Sequence, residues 1–389
     1  MALPDYHGGS IVNLMHSIVR GLGESDCDVD YAPHSDVSPA RLADARHVVL
    51  LIIDGLGYDY LQRTLPDGAI SSMSRGPMTS VFPSTTTSAV TTFLTADAPK
   101  QHALTGWFMW LREVGVVAAP LPFRMRAGGG NLRDLGVTAE HVFDRAPAFD
   151  RIHRRSFMIQ PAHLCSSAYT RAHLGRAVSK PYRTLGGFFS RIRRLAGSKT
   201  PSYVYAYWPE LDTLGHRQGM ESAAAAAHLA EIDRHVARLL DKLKGSGAIL
   251  LVTADHGFID TRPDTWVDLE SHPQLKQTLA VPLCGEPRAA YCYVHPGAEQ
   301  EFVGYVEEHL AAQCEVVPAD ALLEQDYFGL GGGHSKLRDR IGHYCLIMRD
   351  NFAIRDRIAT ERRVKAMVGV HGGTSDDEMK VPMAVSPEE

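Results

Sequence analysis

Five short segments of this 389-residue chain place aspartate, histidine or hydroxyl side chains just after an apolar run or at a predicted helix start. The segments contain Asp54, the hydroxyl run 84–88, Asp212 with His216, Asp255 with His256, and His371. Together they supply three aspartates, three histidines and a hydroxyl, the side chains that a two-metal hydrolase with a covalent nucleophile requires. Each segment alone is a weak signal, whereas the five together are a strong one.

The spacing within two of these segments favours a shared metal ion. Asp212 and His216 are four residues apart, so on a helical turn their side chains face the same way. Asp255 and His256 are adjacent, and on a turn both can reach one centre. Carboxylate and imidazole ligands without cysteine suit Zn²⁺, Mn²⁺ or Fe, and zinc fits this mixture best. We therefore predict a metal centre with zinc as the expected ion.

Each residue also has a simpler interpretation. An aspartate after a strand is often a helix cap or a turn residue, and Asp54 before Gly55 could be either. The run 84–88 could likewise be a cap of the predicted helix 89–94, although a hydroxyl at a helix start next to a metal would become a nucleophile. The residues alone do not choose among the five hydroxyls. The metal centre is favoured because independent caps would not be expected to supply a balanced ligand set.

Strand-like and helix-like patterns alternate along the chain, which predicts an α/β fold. Continuous apolar runs predict strands buried in a parallel sheet, at 47–53, 203–208, 248–253, 344–348 and 367–370. The stretch 221–244 has apolar residues at helical spacing, and Gly245 is well placed to end that helix. Ligands of open α/β sheets bind beyond the carboxyl ends of the strands. Asp54, Asp255 and His371 each fall within a residue or two of such an end.

Two less regular stretches, 105–200 and 258–342, are interpreted as insertions that cap the sheet. The chain is therefore predicted to be one catalytic domain over residues 1–389. Residues 151–200 hold eleven lysines or arginines and no aspartate or glutamate. A solvated basic face is the simplest explanation of this asymmetry, and the alternative is that the segment draws anionic substrates toward the site.

Composition and charge exclude several other classes of protein. The net charge of −5 gives no general bias toward nucleic acid or anionic membranes, and no apolar run approaches the length of a membrane span. The first residues have no secretory-signal pattern, and the six cysteines form no Cys-x-x-Cys pair. We expect a cytoplasmic protein with reduced thiols and neither a nucleic-acid nor a membrane partner. No sequence feature predicts its oligomeric state.

The order of the five segments resembles the alkaline phosphatase superfamily, and within it the type I phosphodiesterase and nucleotide pyrophosphatase family, over about residues 48–382. The resemblance implies an alkaline-phosphatase-like fold, with a central, mostly parallel sheet flanked by helices, and two zinc ions. The family's threonine nucleophile corresponds to Thr86. The implied ligands of one ion are Asp212, His216 and His371, and those of the other are Asp54, Asp255, His256 and Thr86.

The substrate-binding positions depart from the family pattern. Trp107 stands where the family has an asparagine that hydrogen-bonds the phosphate, and Thr87 where it has an aromatic residue that stacks on a base. The family's second stacking residue is present as Tyr207. Of the two aromatic residues that clamp the base in the family, one is therefore absent. The resemblance implies hydrolysis of small anionic phosphate diesters or nucleotide pyrophosphates through a phospho-threonine. The alternatives are a phosphonoacetate-type C–P hydrolase, a phosphomonoesterase on the same centre, and a non-catalytic binder of phosphate esters.

Overall fold

The computed structural model describes residues 2–24, 29–361 and 367–387. In these residues the strands, in chain order, are β1 His47–Ile53, β2 Ser74–Thr79, β3 Met109–Leu111, β4 Val116–Ala119, β5 Arg124–Met125, β6 Arg155–Pro161, β7 Val178–Tyr182, β8 Ser202–Trp208, β9 Ala248–Thr253, β10 Ile259–Asp260, β11 Trp266–Asp268, β12 Cys284–Glu286, β13 Ala289–Cys292, β14 Cys314–Pro318, β15 Tyr344–Met348, β16 Ala353–Arg355, β17 Gly369–Val370 and β18 Lys380–Val385. The α-helices are α1 Ile11–Leu22, α2 Pro39–Asp44, α3 Tyr58–Thr64, α4 Ala69–Ser72, α5 Thr86–Thr95, α6 Pro99–His102, α7 Ala139–Val142, α8 Ala148–Arg151, α9 Ala168–His173, α10 Leu185–Ala196, α11 Glu210–Gln218, α12 Ala223–Leu243, α13 Pro273–Gln277, α14 Glu299–His309, α15 Ala319–Glu324, α16 Leu337–Arg340 and α17 Asp376–Met379. Short 3₁₀ helices lie at Leu132–Leu135, Pro263–Thr265 and Leu269–Ser271.

A seven-stranded mixed sheet forms the centre of the fold, in the order β2-β18-β9-β1-β8-β6-β7. The five strands from β9 to β7 run parallel, and β18 and β2 add an antiparallel edge. Every residue of β1 and β8 is buried, which explains why these strands are continuous apolar runs. The predicted α/β class, with a mostly parallel sheet flanked by helices, is confirmed.

The helix predicted over 221–244 is α12, which begins after Ser222 and ends before Lys244. The Ser222 hydroxyl caps the first turn by accepting from the amide of Ala225, and Gly245 has a φ of 71° just beyond the helix. Together, α11 and α12 connect β8 to β9, which lie on opposite sides of β1. No helix in the described ranges has the length and apolarity needed to cross a membrane.

Two of the predicted central strands lie elsewhere. The run 344–348 is β15, which belongs to a separate four-stranded antiparallel sheet, β12-β13-β15-β14. The run 367–370 is reduced to β17, which among the described strands pairs with β10. A short apolar run indicates burial but does not say in which sheet, because both sides of the antiparallel sheet are also covered. Along β13, Tyr291 packs in the cluster around Phe82, and Cys292 in the cluster around Phe302.

The stretch 105–200 is only partly an insertion. Its first part forms the small three-stranded sheet β3-β4-β5, but β6 and β7 complete one edge of the central sheet. The many basic residues of 151–200 obscured these strands in the sequence. Some of these residues are not solvated, because they contact backbone carbonyl groups or an aromatic ring. The guanidinium of Arg154 donates to the carbonyl oxygens of Ala43 and Ala45, and Arg155 lies 5.3 Å from the centre of the Phe157 ring. Attraction of anionic substrates by this segment stays a prediction.

The thiols agree with the expectation of reduced cysteines where they are described. Cys165, Cys284, Cys292, Cys314 and Cys345 are free, and Cys27 lies outside the described residues. The division of the chain into one catalytic domain with insertions also stays a prediction. The predicted second insertion, 258–342, contributes the strands β12, β13 and β14 to the antiparallel sheet. Strand β12 ends at Glu286.

Candidate active site

The predicted ligands converge because the strands that precede them are neighbours. Asp54 directly follows β1, and Asp255 lies two residues beyond the end of β9, so both carboxylates emerge at the same edge of the sheet. On the other side of β1, β8 leads into α11, which carries Asp212 in its first turn and His216 in its last. His371 follows β17, and β17 is held near α11 by a hydrogen bond from His216 to Gly369.

Asp54, Asp255 and His256 form one group of potential ligands. One ligand atom from each lies within 4.8 Å of those of the other two. The Nε2 atom of His256 is 3.3 Å from Oδ1 of Asp54 and 3.5 Å from Oδ2 of Asp255. All three side chains are buried, so this group could enclose a cation from three sides.

A second group is formed by Asp212, His256 and His371, whose ligand atoms also lie within 4.8 Å of one another. Oδ1 of Asp212 is 3.3 Å from Nε2 of His216 and 3.9 Å from Nε2 of His371. The rings of His256 and His371 are stacked, with centroids 3.7 Å apart. The structure thus brings all the predicted aspartates and histidines into one cluster, in which His256 is common to both groups.

The three histidines are oriented in the same way. Their Nδ1 atoms face backbone carbonyl oxygens, at 2.9 Å from Gly369 for His216, 3.0 Å from Gly257 for His256 and 3.3 Å from Ser84 for His371. A proton on Nδ1 donates to such a carbonyl and leaves the lone pair of Nε2 directed at the cluster. This is the usual arrangement of a histidine that binds a metal.

The carboxylates of the cluster fit a cation as well. Oδ1 of Asp54, Oδ1 of Asp212 and Oδ2 of Asp255 are buried and have no hydrogen-bond partner among the described residues. Burial, followed by the charges of Asp255 and Asp212, raises the pKa of Asp54 well above its usual value. Burial and Asp255 raise the pKa of Asp212 in the same direction. Buried like charges need compensation, and divalent cations bound between these oxygens would provide it.

Thr86 is the hydroxyl that faces this cluster. It is the first residue of α5, it is only half-buried, and its Oγ1 lies 3.1 Å from Nε2 of His256. The other four hydroxyls of 84–88 are buried, and three donate to protein acceptors: Ser84 to the Gly373 carbonyl, Thr85 to the Glu286 carboxylate and Ser88 to the Leu104 carbonyl. The structure therefore distinguishes Thr86 from the other four hydroxyls, which the sequence alone did not do.

The positions of the expected base clamp are inside the protein. Tyr207 is the next-to-last residue of β8, and its hydroxyl donates to Oδ2 of Asp54. Because its ring is buried, Tyr207 positions the Asp54 carboxylate and does not have the position of a stacking residue. Thr87 is fully buried in α5. Trp107, by contrast, is 42% exposed and lines a cavity of about 590 Å³ that opens onto Thr86 and Asp212.

Glu286 is a site residue that sequence reasoning missed. One of its carboxylate oxygens accepts from the Thr85 hydroxyl at 2.6 Å and from the Trp107 amide at 2.7 Å. Burial raises the pKa of Glu286 to about 7, although these two hydrogen bonds oppose the shift. It lies in β12, inside an irregular stretch with no local motif, so no signal in the sequence pointed to it.

Phe258 is a second missed residue. Its ring meets the rings of His216, His256 and His371 edge-on, with centroids 5.0, 5.6 and 5.2 Å apart. The aromatic wall therefore restricts how these imidazoles can turn. A signal for this contact was present, because Phe258 stands only two residues after His256.

A cluster of carboxylate and imidazole groups beyond the carboxyl ends of an α/β sheet, with a hydroxyl beside it, defines a metal-dependent hydrolase. The sequence profile described as type I phosphodiesterase / nucleotide pyrophosphatase matches residues 48–374. The chain belongs to this family and is an enzyme of its metal-dependent hydrolase class, as the resemblance predicted. No match is found among curated protein sequences.

Several solved structures share the fold. Murine ectonucleotide pyrophosphatase / phosphodiesterase 5, solved as an inactive variant in complex with AMP, has a TM-score of 0.65 and 16% identity over 87% of each chain. The human protein of that name has a TM-score of 0.61 and 17% identity, again over 87% of each chain. Phosphonoacetate hydrolase from Sinorhizobium meliloti 1021, in complex with phosphonoformate, has a TM-score of 0.60 and 17% identity over 88% of this chain and 90% of that chain. At these identities the likeness establishes the fold alone.

Proposed function

We propose that this chain hydrolyses phosphate diesters or nucleotide pyrophosphates with two bound Zn²⁺ ions, through a covalent phosphate ester on Thr86. The observation that carries the proposal is the position of the Thr86 hydroxyl, 3.1 Å from Nε2 of His256 in the ligand cluster. Family membership supports the substrate class. Mn²⁺ or Fe would suit the same ligands. The proposed location of the enzyme is cytoplasmic.

The family pattern divides the cluster between the two ions. Asp212, His216 and His371 would hold one ion, and Asp54, Asp255, His256 and Thr86 the other. The contacts support two adjacent positions, because the cluster contains two overlapping groups that share His256. When bound, the ions would polarise the phosphoryl oxygen and lower the pKa of the threonine hydroxyl and of the attacking water.

Thr86 would carry the reaction in two displacements. Its Oγ1 forms a bond to phosphorus while the bond to the leaving oxygen on the opposite side breaks, and the leaving group departs with a proton as an alcohol or a phosphate. Water then attacks the same phosphorus, the bond to Oγ1 breaks, and the hydroxyl is restored. The amides at the start of α5 favour the phosphoryl oxygens, because the N-terminus of a helix attracts anions.

The wall of the cavity favours a diester over a monoester. Glu286 lines the cavity, and after burial and Asp255 it is a further cause of the raised pKa of the nearby Asp212. A monoester would bring a second negative charge close to these carboxyl groups, which is unfavourable. Phosphonate cleavage at the same centre is the second candidate, because phosphonoacetate hydrolase shares the fold.

Replacement of the nucleophile tests the proposal. Thr86→Ala should abolish turnover of methyl 4-nitrophenyl phosphate while the zinc-loaded protein keeps about two ions per chain, and Thr86→Ser should retain measurable activity. Thr87→Val is the matched control, because the Thr87 hydroxyl is buried in the same helix without a hydrogen-bond partner among the described residues. Full activity of Thr86→Ala would show that the wrong hydroxyl was chosen.

A substrate panel tests the reaction class. The zinc-loaded enzyme is assayed on the same diester, on 4-nitrophenyl phosphate, on a nucleotide pyrophosphate and on phosphonoacetate. We expect the highest kcat/KM for a diester or a pyrophosphate. A strong preference for the monoester or the phosphonate would refute the proposal in favour of that alternative.

A further inference from the structure

The cavity beside the ligand cluster has a wall that the proposed chemistry does not use. One end is formed by Thr86, Asp212, His216 and His371, and the rest extends toward the antiparallel sheet. Its lining is largely apolar and includes Trp107, Phe108, Trp266, Leu283, Ile354 and Val370. A volume of about 590 Å³ exceeds what a phosphate group alone needs, so the cavity has room for a further part of the substrate.

Three of the arginines that the structure describes line the cavity, and two of them are neutralised by the protein. Arg126 donates to Glu361 at 3.0 Å and to Asp356, and it lies 4.3 Å from the centre of the Phe108 ring. Both Arg126 and Asp356 are only 6% exposed. This guanidinium therefore holds the wall together and has no charge to offer a ligand.

Arg355 is neutralised in the same way. Its guanidinium donates to Oδ2 of Asp268 at 3.2 Å and lies 5.4 Å from the centre of the Trp266 ring. Arg357 donates to the same carboxylate oxygen at 2.9 Å. Asp268 thus keeps a cationic partner even without Arg355.

Arg217 differs from both. It is exposed, it lines the cavity directly after His216 on α11, and its side chain has no ion pair or hydrogen bond within residues 2–24, 29–361 and 367–387. Arg217 also lies on a particular side of the ligand cluster. Thr86 contacts His256, which the family pattern groups with Asp54 and Asp255, whereas α11 carries Asp212 and His216. In-line displacement sends the leaving group away from Thr86, and hence toward the side of Arg217.

Trp107 offers a second unused surface. Its ring is 42% exposed and lines the same cavity. It makes no ring-stacking or cation–π contact with another described residue, unlike Phe108 and Trp266 in the same wall. A flat or apolar group could cover this face at little conformational cost.

We propose that Arg217 and Trp107 form the recognition site for the leaving group of the substrate. The preferred substrate is an ester whose leaving group carries a second anion, a carboxylate or a phosphate, which pairs with Arg217. An aryl or other flat part of that group packs on Trp107. This proposal rests on the proposed function, because it places the leaving group opposite the Thr86 nucleophile.

The test measures selectivity in the zinc-loaded enzyme. Four substrates are compared: methyl 4-nitrophenyl phosphate, its analogue with a 3-carboxylate on the nitrophenyl ring, carboxymethyl 4-nitrophenyl phosphate, and methyl diphosphate. The first has no extra anion, the second and fourth carry one on the leaving group, and the third carries one on the retained group. Selectivity is the kcat/KM of each anionic substrate divided by that of the first, so intrinsic reactivity cancels when variants are compared.

Arg217→Gln should lower the selectivity for the two leaving-group anions about two- to fivefold, as expected for one exposed charge pair. Arg217→Lys should retain part of it, because it keeps the charge but not the planar fork. Arg355→Gln is the matched control from the same wall, and its selectivity should not change. Trp107→Ala should lower kcat/KM for the aryl substrates more than for methyl diphosphate.

The outcomes separate this proposal from the proposed function. Hydrolysis of the first substrate with unchanged selectivity in Arg217→Gln overturns the leaving-group site and leaves the function standing. A loss of selectivity confined to the carboxymethyl substrate also overturns the proposed site, because Arg217 would then bind the group that stays on the phosphorus. Absence of hydrolysis of every substrate by the unaltered enzyme refutes the function itself. A loss with only one of the two leaving-group anions identifies carboxylate or phosphate as the recognised group.

Discussion

Glu378→Gln is expected to destabilise the fold and weaken zinc binding together, because this side chain holds the turn that follows His371, a proposed ligand. Its carboxylate accepts from the Gly373 amide at 2.8 Å, in the turn after His371. Its backbone carbonyl accepts from the Gly257 amide at 2.8 Å, directly after His256. Helix α17 therefore connects the two segments whose histidines stack in the cluster.

The magnitude follows from the partner of this carboxylate. Arg288 donates to Glu378 at 3.0 Å, and the two side chains are 1% and 0% exposed. Removing one member of a fully buried pair leaves an uncompensated charge, which costs about 3–5 kcal/mol in the free energy of unfolding. Glutamine keeps an oxygen for the Gly373 amide, so we expect the lower end, about 3 kcal/mol. Substitution of residues that support metal ligands typically lowers the metal affinity about tenfold or more, and a similar loss of zinc affinity is expected here.

Urea unfolding of the zinc-free chain and a competition titration with a zinc chelator measure the two effects. In the double variant with Arg288→Met no charge is left unpaired, so its destabilisation should be smaller than the sum of the single effects. Asp376→Asn is the matched control from the same helix, because its pair with Lys380 is exposed and should contribute less than about 1 kcal/mol. A change below about 0.5 kcal/mol in Glu378→Gln, or additive single effects, would refute the reasoning.

Three further predictions concern the centre and its pH dependence. Tyr207→Phe removes the hydrogen bond to Asp54 and should lower zinc affinity about tenfold, whereas an unchanged affinity in the chelator titration would contradict its supporting role. Zinc affinity should rise with pH, because burial and neighbouring charges raise the pKa of Asp54 and of Asp212, and their protons must leave before a cation binds; a titration at several pH values that shows constant affinity would count against this. The pKa of Glu286 is raised from 4.5 to about 7, so the folded zinc-free chain binds this proton more tightly than the unfolded chain and loses stability as pH rises through that range. Glu286→Gln cannot lose the proton, so its stability relative to the unaltered chain should increase by roughly 3 kcal/mol between about pH 4 and pH 8 in urea unfolding, and a pH-independent difference would rule this out.

The convergence of the proposed ligands could be predicted because each of these side chains is placed by its own segment. Asp54 and Asp255 follow apolar runs that form the adjacent parallel strands β1 and β9, so their convergence requires only that these runs pair. Asp212 and His216 lie on one helical turn, and the distance of 3.3 Å between them is a consequence of that spacing. Local geometry thus accounts for most of the centre.

The edge of the sheet and the second sheet could not be predicted in the same way. β6 and β7 lie in the basic segment 151–200, whose composition is typical of a solvated surface, yet Arg154, directly before β6, donates to carbonyl groups of the segment before β1. β15 has the composition of a central strand but pairs with β13 and β14. In both cases the deciding interaction is with a distant segment, and a sequence window does not contain it.

Recognition of the substrate depends even more on distant segments. Glu286 reaches the start of α5 from a strand about 200 residues away, where its carboxylate takes the Thr85 hydroxyl and leaves Thr86 as the hydroxyl that faces the cluster. The same carboxylate binds the amide of Trp107 and so fixes the loop that carries the exposed ring. One buried group thereby connects the hydroxyl proposed as the nucleophile to the wall proposed to receive the leaving group. Loss of Glu286 should for this reason alter the discrimination between aryl substrates and methyl diphosphate as well as the rate, whereas the loss of a metal ligand should lower the rate for all substrates alike.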